Sequence, residues 1–181
     1  MVLYIQLSRM HVIRSVCYKM TANLSMQLLR QVPKKNGKTF LWRTLSASIR
    51  SCRDTVLNVA SNEIASLLLP NGRTAHSRFK ISLSITEDSI CNMKSGSPHA
   101  KLLVKAKLIV WDEAPMISKY CYEVFDKCLK DILRFTVGYK QNLPLGGKVV
   151  VLGGDFRQIL PMIPNDSRQD IVQTAINSSY L

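Results

Sequence analysis

From about Thr39 onward the chain alternates between short runs of consecutive apolar residues and longer segments that are apolar every three or four positions. A strand buried on both faces is apolar throughout, whereas a covering helix is apolar along one stripe, so this alternation predicts a parallel sheet covered by helices. An α/β class follows. Leu41, Leu45 and Ile49 stand at four-residue spacing and predict a helix from Thr39 to about Cys52. It leads into a strand over Thr55–Ala60, apolar at Val56, Leu57 and Val59. A short helical stretch, Glu63–Leu68, ends at the turn residues Pro70-Asn71-Gly72, and Ser84–Lys101, with Ser95-Gly96-Ser97-Pro98 inside it, reads mostly as loop. A second apolar strand, Lys107–Trp111, stops at Asp112-Glu113. Ser118 then caps a helix reaching about Phe135, with a stripe of Val124, Phe125, Cys128, Leu129, Ile132 and Leu133. Gln141–Gly147, with Pro144 and a double glycine, connects to a third apolar strand, Lys148–Leu152, broken by Gly153-Gly154-Asp155.

A chain of 181 residues with 46% hydrophobic content builds one domain of ordinary size. Its net charge of +13, with only 20% charged residues, favours an acidic partner, nucleic acid first. The imbalance is concentrated: residues 1–53 carry ten Lys or Arg and no acid, against fifteen and twelve in the remainder. That basic stretch is either a binding surface or a solvated leader. The five cysteines form no CxxC pair, so neither a disulfide framework nor a zinc site is suggested; Cys121 and Cys128, seven apart in a helical pattern, read as small core residues. His11, His76 and His99 are scattered. No apolar run approaches the roughly 20 residues of a bilayer span, so no membrane association is expected. The opening MVLYIQLSRMHVIRSVCYKM is apolar, basic and free of acids, a composition compatible with an organelle transit peptide. Residues 1–30 are accordingly taken as a divergent basic leader and 31–181 as the domain.

Three motifs fall at strand ends or at a helix start, the edge of an open α/β sheet where ligands bind. Asn36-Gly37-Lys38-Thr39 opens a helix and matches the second half of the phosphate-binding loop G-x-x-x-x-G-K-[ST]. Gly37 would let backbone approach phosphate, Lys38 would reach the β- and γ-phosphates of ATP, and the Thr39 hydroxyl would bind Mg²⁺. Leu108-Ile109-Val110-Trp111-Asp112-Glu113 is an apolar strand ending in paired acids, as in the Walker B element: Asp112 would hold Mg²⁺ and Glu113 would orient and deprotonate water. The third, Val149 to Gln158, presents polar side chains after a glycine turn, and Gln158 can hydrogen-bond a γ-phosphate.

Together with the longer strings LNVASNEIASLLLPNGRTAHSRFKI, LIVWDEAPM, KYCYEVFDKCLKDILR, GGKVVVLGGDFRQILPMIP and SRQDIVQTAINSSYL, these motifs resemble the Pif-type DNA helicases of superfamily 1B, especially plant members related to Helitron transposon helicases. The resemblance runs from about Gly37 to Leu181. It implies an incomplete RecA-like P-loop NTPase domain, a parallel sheet with helices on both faces. It also implies an ATPase that moves 5′ to 3′ on single-stranded DNA and unwinds duplexes, with Mg²⁺ as cofactor and family roles in DNA repair, recombination and telomere maintenance. The nucleus is the expected compartment and the mitochondrion the alternative. By position, Gly37, Lys38 and Thr39 match the ATP loop, Asp112 and Glu113 the metal and water-activating pair, and Gln158 the γ-phosphate sensor. Ser61, Thr74, His76, Ser77 and Phe79 fall where such helicases line the DNA path, Phe79 either stacking on a base or packing in the core.

Two departures bear on activity. The loop before Gly37 reads Val32-Pro33-Lys34-Lys35-Asn36 where the family is glycine-rich; a β-branched residue and a proline without an N–H are poor at converging donors on phosphate. The strand expected before that loop, within Asn23–Gln31, mixes polar and apolar residues. The second RecA-like domain, source of the arginine finger across the cleft, is expected to be missing. Two readings therefore stand, a helicase motor in fragment form and a non-catalytic nucleic-acid-binding remnant. A P-loop kinase or GTPase is disfavoured by the Asp-Glu pair and the GGDFRQ string.

Overall fold

The computed structural model describes residues 2–6, 37–136, 139, 141–155, 161 and 167–181. Within them one sheet is built from β1 (Val2–Gln6), β2 (Thr55–Ala60), β3 (Arg73–Thr74), β4 (Ala106–Asp112) and β5 (Val149–Gly154), in the order β1-β5-β4-β2-β3. Every pairing is parallel, so all strand C-termini lie on one edge. The crossovers carry α1 (Lys38–Ser51), α2 (Glu63–Leu67), α3 (Ala75–Phe79), α4 (Pro98–Lys105) and α5 (Lys119–Leu133), and α6 (Arg168–Thr174) follows β5.

The apolar strands divide their side chains between two cores, as the two-residue period of a strand requires. Val56, Ala60, Leu108, Val110 and Val151 face Trp42, Leu45 and Ile49 of α1. Leu57, Val59, Ile109, Trp111, Val150 and Leu152 face the opposite way, against Phe79, Phe125, Leu129 and Leu133. This is the expected parallel sheet with helices on both faces. The stripe predicted for α5 is buried along its length, Cys121 and Cys128 included. Asn58 turns toward α1 and is satisfied there, accepting from Ser46 Oγ at 3.0 Å and donating to the Pro70 carbonyl at 2.9 Å.

The structure differs from the sequence pattern in two places. The segment read mostly as loop ends in α4, whose start is written locally: Ser97 Oγ accepts from Ala100 N–H at 3.2 Å and Pro98 sits in the first turn. The third strand does not break at Gly153-Gly154; β5 runs through both, neither with positive φ. Val2–Gln6, inside the basic stretch 1–30, pairs in register with Val150–Gly154 as the edge strand β1. The stretch Asn23–Gln31 lies outside the described residues. No helix among the described residues is long and apolar enough to cross a membrane.

Candidate functional site

At the C-terminal edge of the sheet, α1 begins beside the end of β4. Gly37 is the exposed N-cap of α1, with φ −61° and no side-chain cap, and it accepts the Phe40 N–H at 3.1 Å. The helix therefore starts with open backbone donors and the positive end of its dipole, a setting suited to an anion. Lys38 is the first helical residue. Its Nζ lies 2.5 Å from Glu113 Oε1 and 3.8 Å from Asp112 Oδ1, a contact across 75 positions of sequence between half-buried side chains. Thr39 follows in the same turn, partly exposed.

The carboxylates are held by the way the chain leaves β4. Glu113 adopts a left-handed conformation (φ 54°), and its N–H donates to Asp112 Oδ1 at 3.0 Å. Such backbone costs a non-glycine residue about 1 kcal/mol, and it turns the chain at once into the 3₁₀ turn Ala114–Met116. Asp112 is 5% exposed. Burial pushes its carboxyl above the ordinary range, and the Lys38 charge, the Trp42 indole and the Glu113 N–H oppose that shift without reversing it. The Trp42 N–H approaches this carboxylate without reaching hydrogen-bond geometry and finds no other partner among the described residues.

The glycines of β5 complete the site by leaving room. A Cβ on Gly153 would stand 2.3 Å from Trp42 Cζ2 and 3.2 Å from Asp112 Oδ1; on Gly154 it would stand 2.1 Å from Pro115 Cδ. The pair read from sequence as a turn is thus a flat floor on which α1 and the 114–116 turn rest. Trp42 and Pro115 are the residues that sequence reasoning missed, and the available signal for Trp42 was its place one helical turn after Lys38.

The structure brings Lys38, Asp112 and Glu113 together, with Gly37 and Thr39 beside them. Gln158 and the Val32–Asn36 loop lie outside the described residues. Ser61 adjoins the site, its N–H donating to the Asp112 carbonyl at 3.1 Å, but its hydroxyl is engaged by Trp111 Nε1 at 3.2 Å. Thr74 caps α3 through the Ser77 N–H, and His76 Nδ1 stands 3.1 Å from the Ser82 carbonyl; Ser77 is exposed. Phe79 is corrected. It is fully buried, stacked on Phe125 with ring centroids 4.0 Å apart, so no base can reach it.

A cation at a helix start facing two carboxylates at a strand end is the arrangement of a phosphate-binding, water-activating site. A sequence model described as PIF1-like helicase matches residues 7–181. The chain belongs to the PIF1-like helicase family. It is 29% identical over 138 residues to the ATP-dependent DNA helicase PIF4 of Trypanosoma brucei brucei, covering 74% of this chain and 16% of that protein. Among solved structures it is similar to Bacteroides Pif1 bound to single-stranded DNA, with 27% identity, a TM-score of 0.59, and 76% of this chain and 30% of that one covered. Similarity extends to Bacteroides Pif1 in complex with ADP-AlF4, at 25% identity and a TM-score of 0.60, over 80% of this chain and 32% of that one. Pif1 from Candida albicans, at 22% identity and a TM-score of 0.62 over 80% of this chain and 31% of that one, shares the fold. The chain thus spans about a third of the length of these structures and a smaller part of the curated relative.

Proposed function

We propose that this chain is the ATP-binding motor core of a PIF1-type helicase, in which ATP hydrolysis drives movement along single-stranded DNA and unwinding of duplexes. The observation that carries this reading is the Lys38–Glu113–Asp112 cluster at the start of α1. Lys38 exchanges its carboxylate partner for the terminal phosphates of ATP, which bring more negative charge and engage the α1 N–H groups as well. Glu113, released from Lys38, is then free to orient and deprotonate a water.

Mg²⁺ fits the residues present. Asp112 and Thr39 offer the hard oxygen donors it takes, and Asp112 already stands 3.8 Å from a positive charge that partly offsets its burial. The chemistry it supplies when bound is neutralisation of the phosphate charge. The finer reading, 5′ to 3′ polarity with roles in DNA repair, recombination and telomere maintenance in the nucleus or the mitochondrion, rests on the family resemblance.

The test is ATP hydrolysis by the purified chain with Mg²⁺, with and without single-stranded DNA, beside Lys38→Ala and Glu113→Gln. A DNA-stimulated rate that falls by about 10²-fold or more in both variants supports the motor reading. A rate no higher than in the variants supports a second reading, a catalytically silent nucleic-acid-binding remnant, which the Val32-Pro33 pair and the basic balance of the chain favour.

A further inference from the structure

The chain's two tryptophans are both fully buried, on opposite faces of the sheet. Trp111 is satisfied there, its Nε1 donating to Ser61 Oγ at 3.2 Å. Trp42, on α1, has a buried Nε1 that reaches no acceptor among the described residues. A buried N–H left unpaired is costly, and a folded chain keeps one where another state of the protein uses it. The glycine floor shows what this N–H faces. The point that a Cβ on Gly153 would occupy lies 3.2 Å from Asp112 Oδ1, 3.2 Å from Trp42 Cε2 and 2.3 Å from Trp42 Cζ2. Cε2 is bonded to Nε1, so the N–H edge of the indole and the carboxylate meet over one backbone position, with no side chain of Gly153 between them. Oδ1 is also the oxygen that accepts the Glu113 N–H at 3.0 Å and stands 3.8 Å from Lys38 Nζ.

We propose that Trp42 is a positioning residue for the metal carboxylate, an assignment that rests on the site's being one for Mg²⁺ and ATP. When Lys38 leaves the acids for phosphate, the Trp42 N–H takes Asp112 Oδ1 in its place and leaves Oδ2 to the cation. While Lys38 is paired with the acids, its charge and the Glu113 N–H hold Oδ1, and the indole donor stays unused. Departure of that charge leaves a buried carboxylate short of a compensating group, and the indole N–H supplies one. Only one of the two partners can turn. The last torsion of an aspartate is broad, whereas the indole is wedged among Leu45, Val110 and Val151. The rigid donor therefore sets the orientation of the carboxylate, which is how a group that does not touch a metal tunes the ligand that does. Phenylalanine at this position would fill much of the same space and offer no donor.

The experiment replaces Trp42 in the whole chain by benzothienylalanine, through codon suppression, which puts sulfur where the N–H stood and keeps both fused rings. Mg²⁺ should raise the parent's affinity for a non-hydrolysable ATP analogue over that in EDTA, and this gain should fall by about 10-fold or more in the benzothienylalanine chain. A packing defect would lower both affinities and leave their ratio unchanged. A second measurement needs neither nucleotide nor metal: nitrogen–proton correlation spectra of the two indoles, assigned from Trp111→Phe as well as from the benzothienylalanine chain. Lys38→Ala should move the Trp42 resonance downfield, as a new hydrogen bond to a carboxylate does. Adding Asp112→Asn should return it toward the parent's position, and Trp111 should stay where it is. A Trp42 resonance unmoved by Lys38→Ala, or equally displaced in the double variant, overturns the proposal even where the benzothienylalanine chain does not fold. An unchanged Mg²⁺ gain in the folded benzothienylalanine chain overturns it too. A parent that gains nothing from Mg²⁺ overturns the ATP-site reading and the proposal with it, a failure told apart from the others because it shows in the parent.

Discussion

Replacing Gly153 by alanine tests whether the site owes its geometry to the close approach of β5 and α1. The added methyl would sit 2.3 Å from Trp42 Cζ2, whereas carbon atoms in contact stand about 3.5–4.0 Å apart, so one group must move by more than about 1 Å. Trp42 has little freedom to do so. It is 0% exposed, rigid, and packed among Leu45, Val110 and Val151. Overpacking of this kind costs about 1–3 kcal/mol, and a rigid ring places the expected loss near about 2–3 kcal/mol. For a chain of this size that lowers the melting temperature by about 4–12 °C. Gly37→Ala is the control: no described residue lies within 4 Å of its Cβ and its φ is −61°, so stability should stay within about 0.5 kcal/mol of the parent. Urea unfolding of the three proteins measures the difference, and nucleotide binding should weaken with Gly153→Ala because Trp42 and Asp112 move together. A Gly153→Ala midpoint equal to the parent's would refute the packing argument.

Two further outcomes follow from buried groups. Phe79→Ala should cost about 3–5 kcal/mol in a denaturation curve, because it empties a stacked core position; unchanged stability with weakened DNA binding would return Phe79 to the surface. Asp112→Asn should melt higher than the parent at neutral pH. The folded Asp112 binds its proton more tightly than the unfolded chain does, so the parent loses stability as pH rises from about 4 through the raised value, and asparagine does not titrate. The two melting curves should converge on acidification, and a gap that widens toward low pH would mean that the Lys38 attraction outweighs burial.

Several features of the site were legible because their causes are local. The start of α1 at a Gly-Lys-Thr, the end of β4 at paired acids, and the Ser118 cap of α5 each depend on residues within one turn of one another. Helix α4 was legible on the same grounds, in Ser97-Pro98, but the neighbouring glycine and serines drew that stretch toward loop. Phe79 marks the limit: an aromatic residue five positions after a helix cap looks the same whether the helix turns it outward or inward, and only Trp111 and Phe125 on other elements decide.

The sequence by itself determined the α/β class, the bounds of β2 and nearly those of α1 and α5, and, through long matching strings, the family. It did so because periodicity and capping report whether a residue is buried and which way the backbone runs. Tertiary structure alone decided the order β1-β5-β4-β2-β3, the meeting of Lys38 with Glu113 across 75 residues, and the use of Gly153 and Gly154 as clearance. Those are relations between elements distant in sequence. Burial patterns state that a residue has neighbours, and only the packed chain states which ones.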